Sequence, residues 1–439
     1  MKVSLLLAVT CALGPALLRA DAPPLPPRLT LAQAIDAVLA RHPTLDAAQA
    51  AIDAARARTE QSNADRLPQV AANGGYTYMS LRPYVALPIP GAGAFYETIN
   101  NSYATSVGVR QLLTDFGRTD ALVALARSGE ITARDALEQA RHQLGYQTIQ
   151  AFYGVILLRD SVAVADEEIR ALEESSRVSD QKFNNGSATK FDVLTTGVRL
   201  ASARNRRTDT LAALKKQETA LRELLGAAPG AELSLSGDLD VAAQPAPDVP
   251  AVIAEGLQNR PEMRLAQDDA ETSQRRLDAA NRSTRPVLSA SAAGGVEDGQ
   301  LPDMYDNKGF VTANVGLSVP LFTGRRAAGQ KAEARAGVRS AAARVEETRR
   351  QVAADVEDAA ADLDAARGRL ANADALVDQA QEALALAQTR YRNGVITNFE
   401  LLDAQSSARG AELARLQARY DCLLARQALA RSAGRPPAP

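Results

Sequence analysis

Hydrophobic and polar positions along the chain follow two periods, and each period belongs to its own segments. Val311, Ala313, Val315, Leu317 and Val319 alternate with Thr312, Asn314, Gly316 and Ser318. Tyr103, Thr105, Val107 and Val109 alternate in the same way with Ala104, Ser106, Gly108 and Arg110. Two further segments, 70–78 and 287–296, alternate more weakly, with the glycine pairs Gly74-Gly75 and Gly294-Gly295 inside. A period of two predicts strands with one apolar and one small or polar face, over 68–82, 103–113, 286–296 and 309–319. Each is about ten residues long, which is the length of a tilted strand crossing a bilayer. Tyr76, Tyr78, Tyr84, Tyr96, Tyr103 and Tyr305 lie in or beside these segments, and Phe116 and Phe322 follow two of them. That placement suits an aromatic girdle. A half-buried sheet of a soluble protein is the plainer account of the same alternation.

Elsewhere the period is helical. Val352, Val356, Ala359, Leu363, Ala366, Leu370, Ala373, Val377, Ala380, Leu384, Ala387 and Tyr391 recur at spacings of four and three. That is a heptad seam in which Ala lets helices approach closely while its partner position carries the bulk. Val155, Val162 and Ile169 fall on matching positions earlier in the chain. Proline, which a helix interior excludes at about 3 kcal/mol, is absent from 91–228 and from 321–435. Two long helices are therefore predicted, over 117–182 and 324–390, each about 100 Å at the helical rise per residue. Return helices follow over 189–225 and 397–433, and shorter helices are predicted over 31–66 and 251–284. A generic coiled-coil rod would show the same seam.

The chain is also written twice. Val107-Gly108 matches Val315-Gly316, and Phe183-Asn184-Asn185-Gly186 matches Tyr391-Arg392-Asn393-Gly394. Thr189, Phe191 and Leu194 match Thr397, Phe399 and Leu402 at the same offset, 208 residues. Upstream, Pro43 matches Pro261 and Pro68 matches Pro286, an offset of 218, so ten extra residues form a longer loop between Pro68 and Val107. The repeats are 21–228 and 251–434, joined by a proline-rich linker at 229–250 and ending in a tail at 435–439.

Residues 1–20 read as a secretory signal peptide: Lys2, an apolar run and then Ala20. Thr10 before Cys11 argues against lipidation, and Cys422 is then the one cysteine of the mature chain, unable to form an internal disulfide. No later run of 18 or more apolar residues predicts a membrane helix, so a membrane would be entered as strands. With 50 Lys+Arg against 52 Asp+Glu and a net charge of −2, the chain lacks the basic surface of a nucleic-acid binder. His42 and His142, two cysteines and no tryptophan leave no metal or cofactor site. Gly324-Arg325-Arg326-Ala327-Ala328-Gly329-Gln330-Lys331 lacks the Lys and Ser/Thr of a phosphate loop. Asp268-Asp269 reads as charged helix surface, and no enzyme constellation emerges. Four strands cannot close a barrel, and exposed edges are not tolerated in lipid. A membrane barrel must therefore be shared, with eight strands from two copies or twelve from three.

This organisation resembles the TolC-type outer-membrane efflux protein family over essentially the whole mature chain. The resemblance rests on the duplicated helix–strand–strand–helix order and on a tip motif. The motif stands here as Phe183-x-x-Gly186 with Phe191-Asp192-Val193-Leu194, and as Tyr391-x-x-Gly394 with Phe399-Glu400-Leu401-Leu402-Asp403-Ala404. It implies a mostly α fold with a membrane β-barrel: long antiparallel coiled-coil helices and four strands per chain in a twelve-stranded barrel shared by a homotrimer. It further implies a duct in the outer-membrane lipid, served by a periplasmic adaptor and an inner-membrane pump. The cargo would be small toxic compounds or, in a type I system, secreted proteins. Glu400 and Asp403 match the carboxylate rings of the pore gate, where stacked negative charge favours cations. Acids in the first turn of a helix are also favoured by its dipole, by up to about 1 kcal/mol. Asp192 and Tyr391 match a tip latch; a helix-capping acid and a seam aromatic are the plainer reading. Ile396 stands where such latches often carry arginine, so that ion pair is missing. Gly186 and Gly394 make the tip turns, and the adaptor would grip the surrounding tip. A periplasmic adaptor would instead show a single hairpin flanked by compact β domains, and a coiled-coil scaffold would need no period-two segments.

Overall fold

The computed structural model describes residues 28–438 except 82–83, 87–89, 92–93, 97–98, 242–244 and 299–305. The signal-peptide and Cys11 expectations, and Tyr305, lie outside the described residues. The first repeat runs α1 (Leu31–Arg41), α2 (Pro43–Ala64), β1 (Gln69–Tyr78), β2 (Tyr84–Ala86), β3 (Ala94–Tyr96), β4 (Asn101–Thr114), α3 (Arg118–Asn184) and α4 (Lys190–Leu225). The second runs α5 (Val249–Asn259), α6 (Pro261–Arg282), β5 (Val287–Glu297), β6 (Lys308–Ser318), α7 (Arg326–Arg392) and α8 (Asn398–Ser432). Both shorter helical regions split at a proline, because the residue before proline is pushed out of the helical region. His42 and Arg260 accordingly sit at ψ 128° and 129°. The His42 ring then caps α2, its Nδ1 accepting from the Thr44 N–H at 3.3 Å. The extra residues of the first repeat are not a plain loop: β2 and β3 pair as a small antiparallel hairpin.

One antiparallel sheet is ordered β1-β4-β5-β6. Gln69 opposes Arg110 in the first hairpin, and their repeat counterparts Val287 and Ser318 oppose each other in the second. The duplication therefore extends to hydrogen-bond register. Pairing across the sheet puts Val70, Val109, Ala292 and Ala313 in one row and Gln69, Arg110, Ser291 and Asn314 in the next. The apolar rows are open: Val311 is 87 % exposed and Val315 69 %. Among the described residues, both outer edges, β1 and β6, are unpaired.

Each strand hands over to its long helix through two successive left-handed residues, Phe116-Gly117 and Gly324-Arg325, with φ of 56°, 88°, 59° and 66°. The glycine-rich stretch at 324–331 is thus a strand-to-helix junction. Asp115 closes the first junction, its carboxylate accepting from the N–H groups of Gly117, Arg118 and Thr119. Arg282 and Arg285 of the second repeat donate to the carbonyls of Gly117 and Phe116, which fastens the two halves at this level.

The long helices α3 and α7 each hold 67 residues, or about 100 Å. The α7 seam is buried at Val352, Val356, Ala359, Leu363, Ala366, Ala373 and Val377 and half-buried at Leu370, Ala380, Leu384, Ala387 and Tyr391. Mid-length, Ile149, Phe152, Val155 and Ile156 of α3 form the main core with Leu29, α1 and the end of α4. This is also the one helix among the described residues long and apolar enough to cross a membrane by composition; part of its apolar middle is buried in that core. Residues 229–250, expected as a linker, supply Leu235 and Leu239 to it. There the Leu29 N–H donates to the Ser234 carbonyl at 2.8 Å. The expected tail is docked as well. Tyr146 Oη donates to the Arg435 carbonyl at 3.0 Å, and Arg435 grips Glu255 through two hydrogen bonds of 2.9 and 2.8 Å.

Candidate functional site at the helical tip

At the far end from the sheet, the two helical hairpins turn through matched geometry. Gly186 and Gly394 both stand at φ 73°, where a side chain would be strained. The Ser187 N–H reaches back to the Lys182 carbonyl at 2.8 Å, as the Val395 N–H does to Arg390 at 2.9 Å. Each return helix then opens with a reciprocal capping box. Thr189 and Asp192 form the first, with the Asp192 carboxylate accepting from the Thr189 N–H at 2.9 Å and its hydroxyl at 2.7 Å. Thr397 and Glu400 form the second, at 2.7 and 2.8 Å. Asp192 and Glu400 are repeat counterparts and both serve as helix caps. Hydrogen bonds from the Thr397 backbone and hydroxyl hold the Glu400 carboxyl below its ordinary pKa. Glu400 and Asp403 are exposed one turn apart on α8, while Leu401 and Leu402 point inward and are buried.

Asp192 and Tyr391 take separate partners within the chain. The Lys182 ammonium lies 3.7 Å from the centre of the Tyr391 ring, a cation–π contact, and also donates to the Tyr391 carbonyl at 3.4 Å. The two halves meet through Asn398, whose Nδ2 donates to Thr196 Oγ1 at 3.0 Å and to the Asp192 carbonyl at 3.4 Å. Arg199 adds a hydrogen bond to the Leu402 carbonyl at 3.1 Å and stands over the Phe399 ring. Lys182, Thr196, Arg199 and Asn398 were not singled out in the sequence. Lys182 has the basic Arg390 at its repeat counterpart, but Thr196, Arg199 and Asn398 stand opposite Ala404, Ser407 and Lys190, so the duplication carries no signal for these three.

A strand hairpin and two long helices, written twice with matched register and matched tips, is an arrangement that can be compared with known proteins. The sequence profile described as outer membrane efflux protein matches residues 34–227 and 252–435, most of both repeats. The chain belongs to the outer membrane efflux protein family. The outer membrane protein OprJ of Pseudomonas aeruginosa is 26 % identical over 373 residues, covering 81 % of this chain and 74 % of OprJ. The alkaline protease secretion protein AprF of the same species is 24 % identical, covering 74 % of this chain and 68 % of AprF. The outer membrane protein VceC of Vibrio cholerae has the same fold, with a TM-score of 0.75 at 20 % identity over 93 % of this chain and 97 % of VceC. As a member of this family of channel proteins, the chain resides in the outer membrane of a Gram-negative cell. Its sheet is the membrane part, and its helices form the periplasmic tunnel. The apolar rows of the sheet run through Val70, Val109, Ala292 and Ala313, and the polar rows through Gln69, Arg110, Ser291 and Asn314.

Proposed function

We propose that three copies of this outer membrane efflux protein close one twelve-stranded barrel and one tunnel. Small toxic compounds, delivered by a periplasmic adaptor and an inner-membrane pump, leave the cell through it. One observation carries this reading. The sheet has an open lipid-facing surface and two unpaired edges, a state that a bilayer does not tolerate and that further copies relieve. At the tip, three copies of Glu400 and Asp403 would ring the pore as its gate. Asp192 and Tyr391 would latch the closed state, with Lys182 holding the Tyr391 ring. The turns at Gly186 and Gly394 would be gripped by the adaptor. The relation to AprF, named for protease secretion, favours a type I secretion duct as the second reading.

The test is the mass and shape of the detergent-extracted protein. Light scattering should give three chains per particle. Electron microscopy should show a hollow threefold particle with a helical part of about 100 Å. A single chain that needs no detergent would overturn the proposal.

A further inference from the structure

We infer that the internal duplication also sets the register in which neighbouring copies join. Residues 315–319 of one protomer pair antiparallel with residues 72–76 of the next, so that Ser318 faces the partner's Asn73. The inference rests on the closed-barrel reading above and adds the residue pairs of its seam.

The hairpins β1–β4 and β5–β6 correspond pair for pair, since Val70 opposite Val109 becomes Leu288 opposite Leu317 and Tyr78 opposite Asn101 becomes Val296 opposite Gly309. Within the chain they are joined by β4–β5, the second strand of one hairpin against the first strand of the next. The two free edges are of these same kinds: β6 is a second strand and β1 a first strand. A ring of like hairpins keeps a uniform stagger only if every joint repeats. Carrying β4–β5 over by the two offsets turns Arg110 opposite Ser291 into Ser318 opposite the partner's Asn73. Likewise Val109 opposite Ala292 becomes Leu317 opposite the partner's Gly74, and Val107 opposite Gly294 becomes Val315 opposite the partner's Tyr76.

The faces agree with this transfer. Val315 and Leu317 lie on the lipid side, and so do Tyr76 and Gly74; Ser318 and Asn73 both lie on the lumen side. A one-residue slip would turn every lipid-facing side chain of one strand inward, so only slips of two residues compete. Two features bound the copied ladder. Pro320, at the β6 end, has no N–H to donate. At the other end Thr77 stands where the copied joint has Gly295, at which a Cβ would come within 2.1 Å of the Thr105 carbonyl oxygen. The seam must therefore open there, and Ser318 and the partner's Asn73 lie between those limits.

The experiment is disulfide trapping in intact outer membranes of cells making the full-length protein. In a chain carrying Cys422→Ser, which removes the native thiol, Ser318→Cys is combined with Ala71→Cys, Asn73→Cys or Gly75→Cys, and each chain with one introduced cysteine is the control. Residues directly opposite bring Cβ atoms near bonding distance and those two positions off do not, so Asn73→Cys should give about fivefold more covalent trimer than either neighbour. If that chain fails to reach the membrane, Val315→Cys with Tyr76→Cys reads the same register from the lipid face. Strongest trapping at position 71 or 75, or none in a particle of three-chain mass, overturns the register and leaves the shared barrel standing. An unoxidised mass of one chain overturns the barrel reading itself.

Discussion

The carboxyl of Asp268 sits between α6 and α3, beside Asp135, and has one oxygen sealed from solvent without a partner. Burial, then the neighbouring Asp135 carboxyl, then Glu271, push its pKa up to about 6, with Arg264 opposing. A carboxyl that holds its proton more tightly folded than unfolded stabilises the fold fully below the ordinary carboxylate range, and this is lost as pH rises through 6. Asp268→Asn should therefore melt higher than the natural protein at pH 7.5, by about 1 kcal/mol after solvent screening. The gap should close at pH 4, as read by circular dichroism of the detergent-solubilised protein. An equal gap at both values would exclude the tightly held proton. The sequence reading of Asp268-Asp269 as plain surface missed this, because Asp135 lies far away in the chain and only the α3–α6 contact brings it near. The tip acids are the opposite case. Thr189-x-x-Asp192 and Thr397-x-x-Glu400 are local motifs, and a helix start needs nothing beyond its own first turn.

Among elements, the α7 seam is where the sequence was most legible, since a side chain recurring every three or four residues lies on one face whatever packs against it. Leu363 shows the energetic side. It is 3 % exposed and clusters with Ala366 of the seam and Cys422 of α8. Leu363→Ala should cost about 2–5 kcal/mol, the range for truncating a buried leucine, and lower the helical melting midpoint. A midpoint unchanged from the natural protein would show that α7 and α8 do not hold each other there. Residues 229–250 show where the reading stopped. Proline marks that segment as non-helical, but nothing local reveals that Leu235 and Leu239 complete the core beside Leu29. The β2–β3 hairpin likewise lies in the inserted residues, outside the duplicated pattern that guided the strand assignments.

At the scale of the assembled channel, the gate proposal makes a prediction that no single chain can. Three copies of Glu400 and Asp403 would superimpose their charge in one narrow water-filled ring, which attracts cations and repels anions. Glu400→Gln keeps the capping box, because Gln also serves at that helix position. Combined with Asp403→Asn it should abolish cation preference in single-channel recordings while leaving the melting curve unchanged; unaltered selectivity would place the constriction elsewhere. From the sequence alone came the two halves, their order of helices and strands, the tip turns and the need for further copies. All of these follow from periodicity, proline placement and an internal repeat, which are properties of the chain read along itself. The tertiary structure decided what joins distant positions: the register of β4 on β5, the docked tail on Tyr146, the Asp135–Asp268 contact and the Asn398 bridge between the tips. Such contacts depend on how helix faces and strand edges meet in space, and a repeat specifies equivalent elements without specifying which side chains their meeting brings together.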